Sequence, residues 1–300
     1  YIFFQRIQIL KLSNKITTPI LLMSQDILSK ILSKAEITRD QLDAANDGQI
    51  INGCLILLQS KYDEKAYNKR YNIKYVVAKN LTRVSKLMFN CCTNLELIYA
   101  PLVQRIEDGY LGEKNIGYGG FSQTSLNNIC FPKLLYAGAL AFCNCKCVVN
   151  VDLPLCEQVA KSAFEMCTEI KVLNLPRVKT VGPQAFLCCS SMTDLAIPAA
   201  CSVGNFCISG CASLKKISCT LSATKFSCGW EDCEVCPVCT QDVETCLQRG
   251  KDETDQHQPK TKQLVEEVEQ PKRTVARDLI KAIEQHQQQN KQIQKRRCRR

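Results

Sequence analysis

Histidine is nearly missing from this 300-residue sequence. Only His257 and His286 occur, both in a polar C-terminal tail. Everything before the tail therefore lacks an imidazole for general-base work or for pairing with a nucleophile. Neither a GxxxxGK[ST] loop nor a GxSxG elbow is present, and Gly117-Tyr118-Gly119-Gly120 has no Lys-Ser/Thr after it, so it reads as a flexible insertion. These absences argue against an enzyme. Tryptophan occurs once and aromatics reach only 7%. No apolar run approaches ~18 residues, so no transmembrane helix is expected. Residues 1–22 are broken by Gln5, Arg6, Gln8, Lys11, Asn14 and Lys15 and end in no small-x-small cleavage site, a poor pattern for a signal peptide. Met23 opens an amphipathic segment, so either Met23 is the natural start or the sequence is a fragment. The expected location is cytoplasmic, with nuclear or secreted and cell-surface placement as alternatives.

What is abundant is cysteine, 21 residues. An odd count in a chain this long does not suit a small secreted disulfide scaffold. Several of the cysteines recur at a fixed spacing, and so does much else. Taking Tyr67, Phe89, Gly120, Phe142, Phe164, Phe186 and Ile208 as anchors, successive separations are 22, 31, 22, 22, 22 and 22. The long one contains an insertion over residues 111–119. Six residues after each anchor lie Ile73, Leu95, Leu126, Val148, Ile170, Met192 and Leu214, and nine after lie Val76, Ile98, Ile129, Val151, Leu173, Leu195 and Ile217. All fourteen are apolar. Twelve after, proline recurs as Pro101, Pro132, Pro154, Pro176 and Pro198, and three after, cysteine recurs as Cys92, Cys145, Cys167, Cys189 and Cys211.

A period near 22 predicts one solenoid coil per unit. Alternating apolar residues at the ninth and eleventh positions predict a short strand, which proline at the twelfth would end because it cannot donate to the ladder. Pairs such as Val178 with Val181, and Leu81 with Val84, predict a second short extended segment on the opposite side. The Ala-Phe-x-x-Cys stretch predicts a tight, partly helical return. The units carried by Cys167, Ile170, Leu173, Leu175, Pro176, Val178, Val181, Gly182, Ala185 and Phe186 closely resemble the BspA-like class of leucine-rich repeats, over roughly residues 67–218. The resemblance implies a solenoid of short parallel β-strands. It also implies the roles of that class: adhesin, surface antigen or protein-binding scaffold.

The expected organisation is an N-terminal flank over 1–44 with an amphipathic helix at 26–42, a solenoid over 45–218, a Cys-rich cap over 219–246, and a basic tail over 247–300. The repeated cysteines are expected to be free and buried, since stacked Cβ atoms point the same way and cannot bridge. In the cap, Cys228, Cys233, Cys236 and Cys239 have donor chemistry suited to zinc, with Cys246 an alternative fourth ligand. Two separated knuckles are missing, however, so no cofactor is expected and an unliganded or disulfide-closed cap, plugged by Trp230, is the reading. Binding is expected on the outward strand face. Tyr75, Leu97, Tyr99, Asn128, Asn150, Asp152, Asn174, Asp194 and Lys216 would line it, with the two tyrosines as anchors for a protein or glycan partner. The alternative is a tether to nucleic acid or anionic membrane. The tail from Leu247 holds 14 basic against 8 acidic residues and ends in Lys295, Arg296, Arg297, Arg299 and Arg300.

Overall fold

The computed structural model describes residues 26–112, 116–229 and 233–252. The chain divides into two compact units, Tyr1–Gly250 and Lys251–Arg300. Only Lys251 and Asp252 are described beyond the first unit. No described helix is long and apolar enough to cross a membrane.

A hairpin of β1 (Ile50–Ile51) and β2 (Cys54–Ile56) opens a stack in which two strand series then alternate. The face series is β3 (Tyr75–Val77), β5 (Leu97–Tyr99), β9 (Asn128–Cys130), β11 (Asn150–Asp152), β13 (Val172–Asn174), β15 (Asp194–Ala196) and β17 (Lys216–Ser218). The back series is β4 (Arg83–Val84), β6 (Arg105–Ile106), β10 (Tyr136–Ala137), β12 (Gln158–Val159), β14 (Thr180–Val181) and β16 (Ser202–Val203), which pair in parallel as one six-stranded sheet. Face strands also pair in parallel, with Val76 opposite Ile98, Ile129 opposite Val151, and Leu173 opposite Leu195. The 22-residue period thus superimposes like on like. Ile170, Leu173, Met192 and Leu195 are all buried, in a single apolar cluster that runs from Leu55 to Leu247. A Leu, Ile or Phe moved out of water contributes about 1.5–3 kcal/mol, and here only the neighbouring coils provide the cover.

The returns are tight but not helical. Along residues 162–167, alternate N–H groups point to the next coil: Ser162 donates to Pro183, Phe164 to Ala185 at 2.8 Å and Met166 to Leu187 at 2.8 Å. Helix is blocked because Ser162 (φ 54°) and Met166 (φ 59°) are left-handed. The feature repeats at Leu140, Gln184 and Phe206, and again at Cys91, Asn144, Cys188 and Gly210. The anchor rings form a stack through the interior, with centroids 5.3 Å apart for Phe89–Phe121, 5.5 Å for Phe121–Phe142, 5.1 Å for Phe142–Phe164 and 6.1 Å for Phe164–Phe186.

The stack corrects one anchor. Phe121, not Gly120, occupies the ring position, and Thr124 holds the cysteine position of that coil. That same coil is one residue short between Phe121 and Leu126, as the thiol contacts record. The repeated cysteine donates to the carbonyl 25 residues back from Cys92, Cys167, Cys189 and Cys211, but 24 back from Cys145. The insertion is an antiparallel hairpin, β7 (Tyr110–Leu111) with β8 (Gly117–Tyr118), rather than a plain loop.

At the N-terminus, the helix expected over 26–42 is two helices, α1 (26–35) and α2 (Arg39–Asp43). Glu36 turns left-handed (φ 54°), and Thr38 begins again as an N-cap with a full capping box to Gln41. At the other end, helix α3 (243–252) runs past the expected boundary at 247, because Val243, Cys246 and Leu247 belong to the core. Trp230 and the basic residues from Lys260 to the end, Lys295, Arg296, Arg297, Arg299 and Arg300 among them, lie outside the described residues.

Candidate functional site

The face strands present two kinds of surface. Over β3 and β5 the outward side chains are covered. Ile27, Leu28, Ile31 and Ala35 of α1, with Leu42 of α2, join Tyr75, Val77, Leu97, Tyr99 and Cys130 in a second apolar cluster. Tyr75 and Tyr99 are each only 8% exposed. The two tyrosines expected to anchor a partner are therefore core residues, and so is Leu97. The same hydrophobicity that suggested an anchor had already found an occupant within the chain, the apolar side of α1.

From β9 onward the face opens. Asn150 Nδ2 donates to Asn128 Oδ1 at 2.8 Å, and Asn128 Nδ2 to Asn127 Oδ1 at 2.7 Å, forming a short amide ladder across two coils. Val172 is 57% exposed and Asn174 is exposed beside it. Lys216 Nζ meets Asp194 Oδ1 at 3.0 Å, and Thr193 donates to Asp194 Oδ2 at 2.6 Å. Burial favours the neutral form of Asp194, but the donors Thr193 and Lys216 outweigh it and hold the carboxyl below its ordinary value. Asp152 differs. Burial pushes its carboxyl up, and the one donor opposing the shift is the Cys130 thiol, 3.6 Å away.

Between α1 and the open strands lies a groove of about 680 Å³. Asp26, Ile27 and Lys30 line one side, and Asn128, Cys130, Asn150, Asp152, Val172, Asn174 and the prolines Pro154 and Pro176 the other. Five of the nine expected face residues thus border it: Leu97, Asn128, Asn150, Asp152 and Asn174. Asp194 lies two strands, and Lys216 three, along the same face from Asp152. The contribution of Asp26, Ile27 and Lys30 was missed. Their amphipathic spacing was visible, but spacing alone does not say which surface a helix lies on.

The repeated cysteines are chemically quiet. Each Sγ donates to the carbonyl of a preceding anchor: Cys92 to Tyr67 and Cys145 to Phe121 at 3.0 Å, and Cys167 to Phe142, Cys189 to Phe164 and Cys211 to Phe186 at 3.2 Å. Burial pushes the Cys92 and Cys145 thiols up to about 11 and Cys189 to about 12. Cys167 and Cys211 are also driven well above the ordinary range. These thiols therefore act as small apolar side chains with a weak donor. In the cap, Cys228, Cys233, Cys236 and Cys239 converge, with all four Sγ atoms within 4.8 Å of one another. Cys246 does not join them; its Sγ points to the Leu214 carbonyl at 3.5 Å.

Stacked 22-residue coils with a parallel strand on each side make this a leucine-rich-repeat solenoid. Over residues 114–229 it matches the family model for the BspA type leucine rich repeat region, in six copies. Among solved structures the chain is similar to the leucine-rich repeat protein of T. pallidum, at 17% identity over 58% of this chain and 66% of that one, with a TM-score of 0.34. It is similar to a leucine-rich repeat protein from Bacteroides ovatus at 16% identity over 63% of each chain, TM-score 0.40. It is also similar to a leucine rich cell surface protein from Faecalibacterium prausnitzii at 16% identity over 53% and 63%, TM-score 0.25. The chain spans less than two thirds of the length of each of these proteins. Comparison with curated proteins gives no match.

Proposed function

We propose that this protein is a non-catalytic interaction scaffold that takes an extended protein segment along the open strand face, beside α1. The observation that carries this reading is the groove: a concave strip where a 57% exposed Val172 lies among Asn150, Asp152 and Asn174. An apolar contact amid a few convergent polar groups is what a binding strip requires. Asp152 strengthens the case, since a carboxylate raised by burial gains from any donor or cation a partner brings. Leucine-rich repeats generally serve as binding surfaces rather than catalysts, and the described residues include no histidine.

The test is the double variant Val172→Arg, Asn174→Arg in the full chain. Both side chains are exposed, so the melting temperature should hold while proteins captured by the wild type from host extract are lost. Unchanged capture by a folded double variant overturns the reading. Removing residues 291–300 separates the alternative tether: a strand-face partner survives that deletion and tolerates added salt, whereas a nucleic acid or anionic lipid does neither.

A further inference from the structure

We infer that Cys228, Cys233, Cys236 and Cys239 form a structural zinc site that closes the C-terminal end of the solenoid.

The geometry carries the assignment. Four sulfurs around one zinc at Zn–S of about 2.3 Å stand roughly 3.8 Å apart along each tetrahedral edge. Here all four Sγ atoms fall within 4.8 Å of one another, and Cys236 Sγ is 3.6 Å from Cys239 Sγ. That is far beyond the 2.03–2.05 Å of a disulfide, and all four cysteines are free thiols. Among the described residues the donor set is uniform, with no histidine or carboxylate joining the four sulfurs, and four thiolates in a closed tetrahedron suit zinc in a structural rather than a catalytic role. The local backbone fits. The Cys236 carbonyl accepts from the Cys239 N–H at 3.0 Å and the Thr240 N–H at 3.1 Å, closing a tight turn that brings the two sulfurs to one side. The backbone N–H groups of Val235 and Cys236 also point at the Cys233 sulfur.

A second observation asks for such a clamp. The segment from Ser227 to Asp242 has no strand or helix among its described residues, and Val235 is 54% exposed. Few apolar side chains hold it. Yet it must bring the chain from Gly229, which packs on the Phe206 ring, to α3, whose Val243, Cys246 and Leu247 cover the last coil. A metal bound by residues at both ends of such a stretch supplies the order that a small apolar core cannot. Binding releases up to four thiol protons to solvent per zinc and leaves a site of charge −2.

The experiment uses the full chain, expressed with zinc in the medium. Elemental analysis should give about one zinc per chain. Cobalt(II) exchanged into the site should show thiolate-to-cobalt charge-transfer bands and the intense d–d bands of a tetrahedral four-sulfur ion. Cys236→Ser and Cys239→Ser should each lower the zinc affinity by at least about tenfold, while Cys147→Ser and Cys201→Ser, at exposed sites elsewhere, leave it unchanged. Alkylation mapped by mass spectrometry keeps the test independent of how the variants fold. In the wild type the four cap thiols should be protected with metal and labelled after chelation, while Cys92, Cys167 and Cys189 stay protected in both states. Absence of zinc, iron in its place, full zinc content in Cys236→Ser and Cys239→Ser, or recovery of the four cysteines as two disulfides would each overturn the proposal.

Discussion

Replacing Phe164 by alanine tests the stacking that holds the solenoid together. The side chain is fully buried, with its ring centroid 5.1 Å from Phe142 and 6.1 Å from Phe186. Loss of a core Phe costs about 3–5 kcal/mol in transfer and cavity terms. Each ring pair adds about 0.5–1.5 kcal/mol, the nearer pair contributing more. The expected loss is therefore about 4–8 kcal/mol, a large share of the 5–15 kcal/mol typical of a whole domain. Because coils contact only their neighbours, the damage is confined to the junctions on either side of the Phe164 coil. Urea unfolding followed by circular dichroism should show an earlier midpoint and a transition broadened or split in two. If Phe164→Ala shifts stability by less than about 1 kcal/mol with an unchanged slope, the rings do not couple the coils and the stacking argument is wrong.

Other perturbations follow from the same geometry. A Cβ on Gly182 would lie 2.5 Å from the Lys161 nitrogen and 2.6 Å from the Ala160 carbonyl carbon. Gly182→Val should thus cost about 3 kcal/mol or more by thermal melting, with alanine milder. Tyr75→Ala should destabilise by about 3 kcal/mol and loosen α1, measured as faster amide exchange over residues 26–35; slowed or unchanged exchange there would contradict the burial of Tyr75. Asp152, raised by burial, favours the protonated form in the folded state, so its contribution is present at low pH and is lost as pH rises through its folded value. Asp152→Asn should therefore stabilise at neutral pH, and the gain should vanish below about pH 3.9. A constant difference across the titration would refute that sign.

Much of this architecture was legible because a solenoid writes its geometry as a period. The apolar sixth and ninth positions named the interior, and Pro176 and its equivalents named the strand ends. Two things escaped. The ring anchor was placed on Gly120 because the apolar positions downstream, Leu126 and Ile129, keep the 22-residue phase; the single-residue shortening falls between Phe121 and Leu126, where no apolar marker reports it. The covered half of the strand face escaped because Tyr75 and Tyr99 look alike whether a partner or α1 lies on them. The convergence of the four cap cysteines was also hidden, since Cys228 and Cys246 are both plausible by distance along the chain and only the fold sends Cys246 to Leu214 instead.

The thiol ladder has a consequence for how the chain reaches this state. Cys92, Cys145, Cys167, Cys189 and Cys211 are interchangeable in sequence context, and each must arrive unoxidised at its own carbonyl. In an unfolded chain nothing keeps one from the next, and any sulfur–sulfur bond between them would tie together coils whose buried thiols do not bridge. Refolding in oxidised glutathione should therefore yield mispaired, trapped chains, and adding a reductant should release them to the native stack.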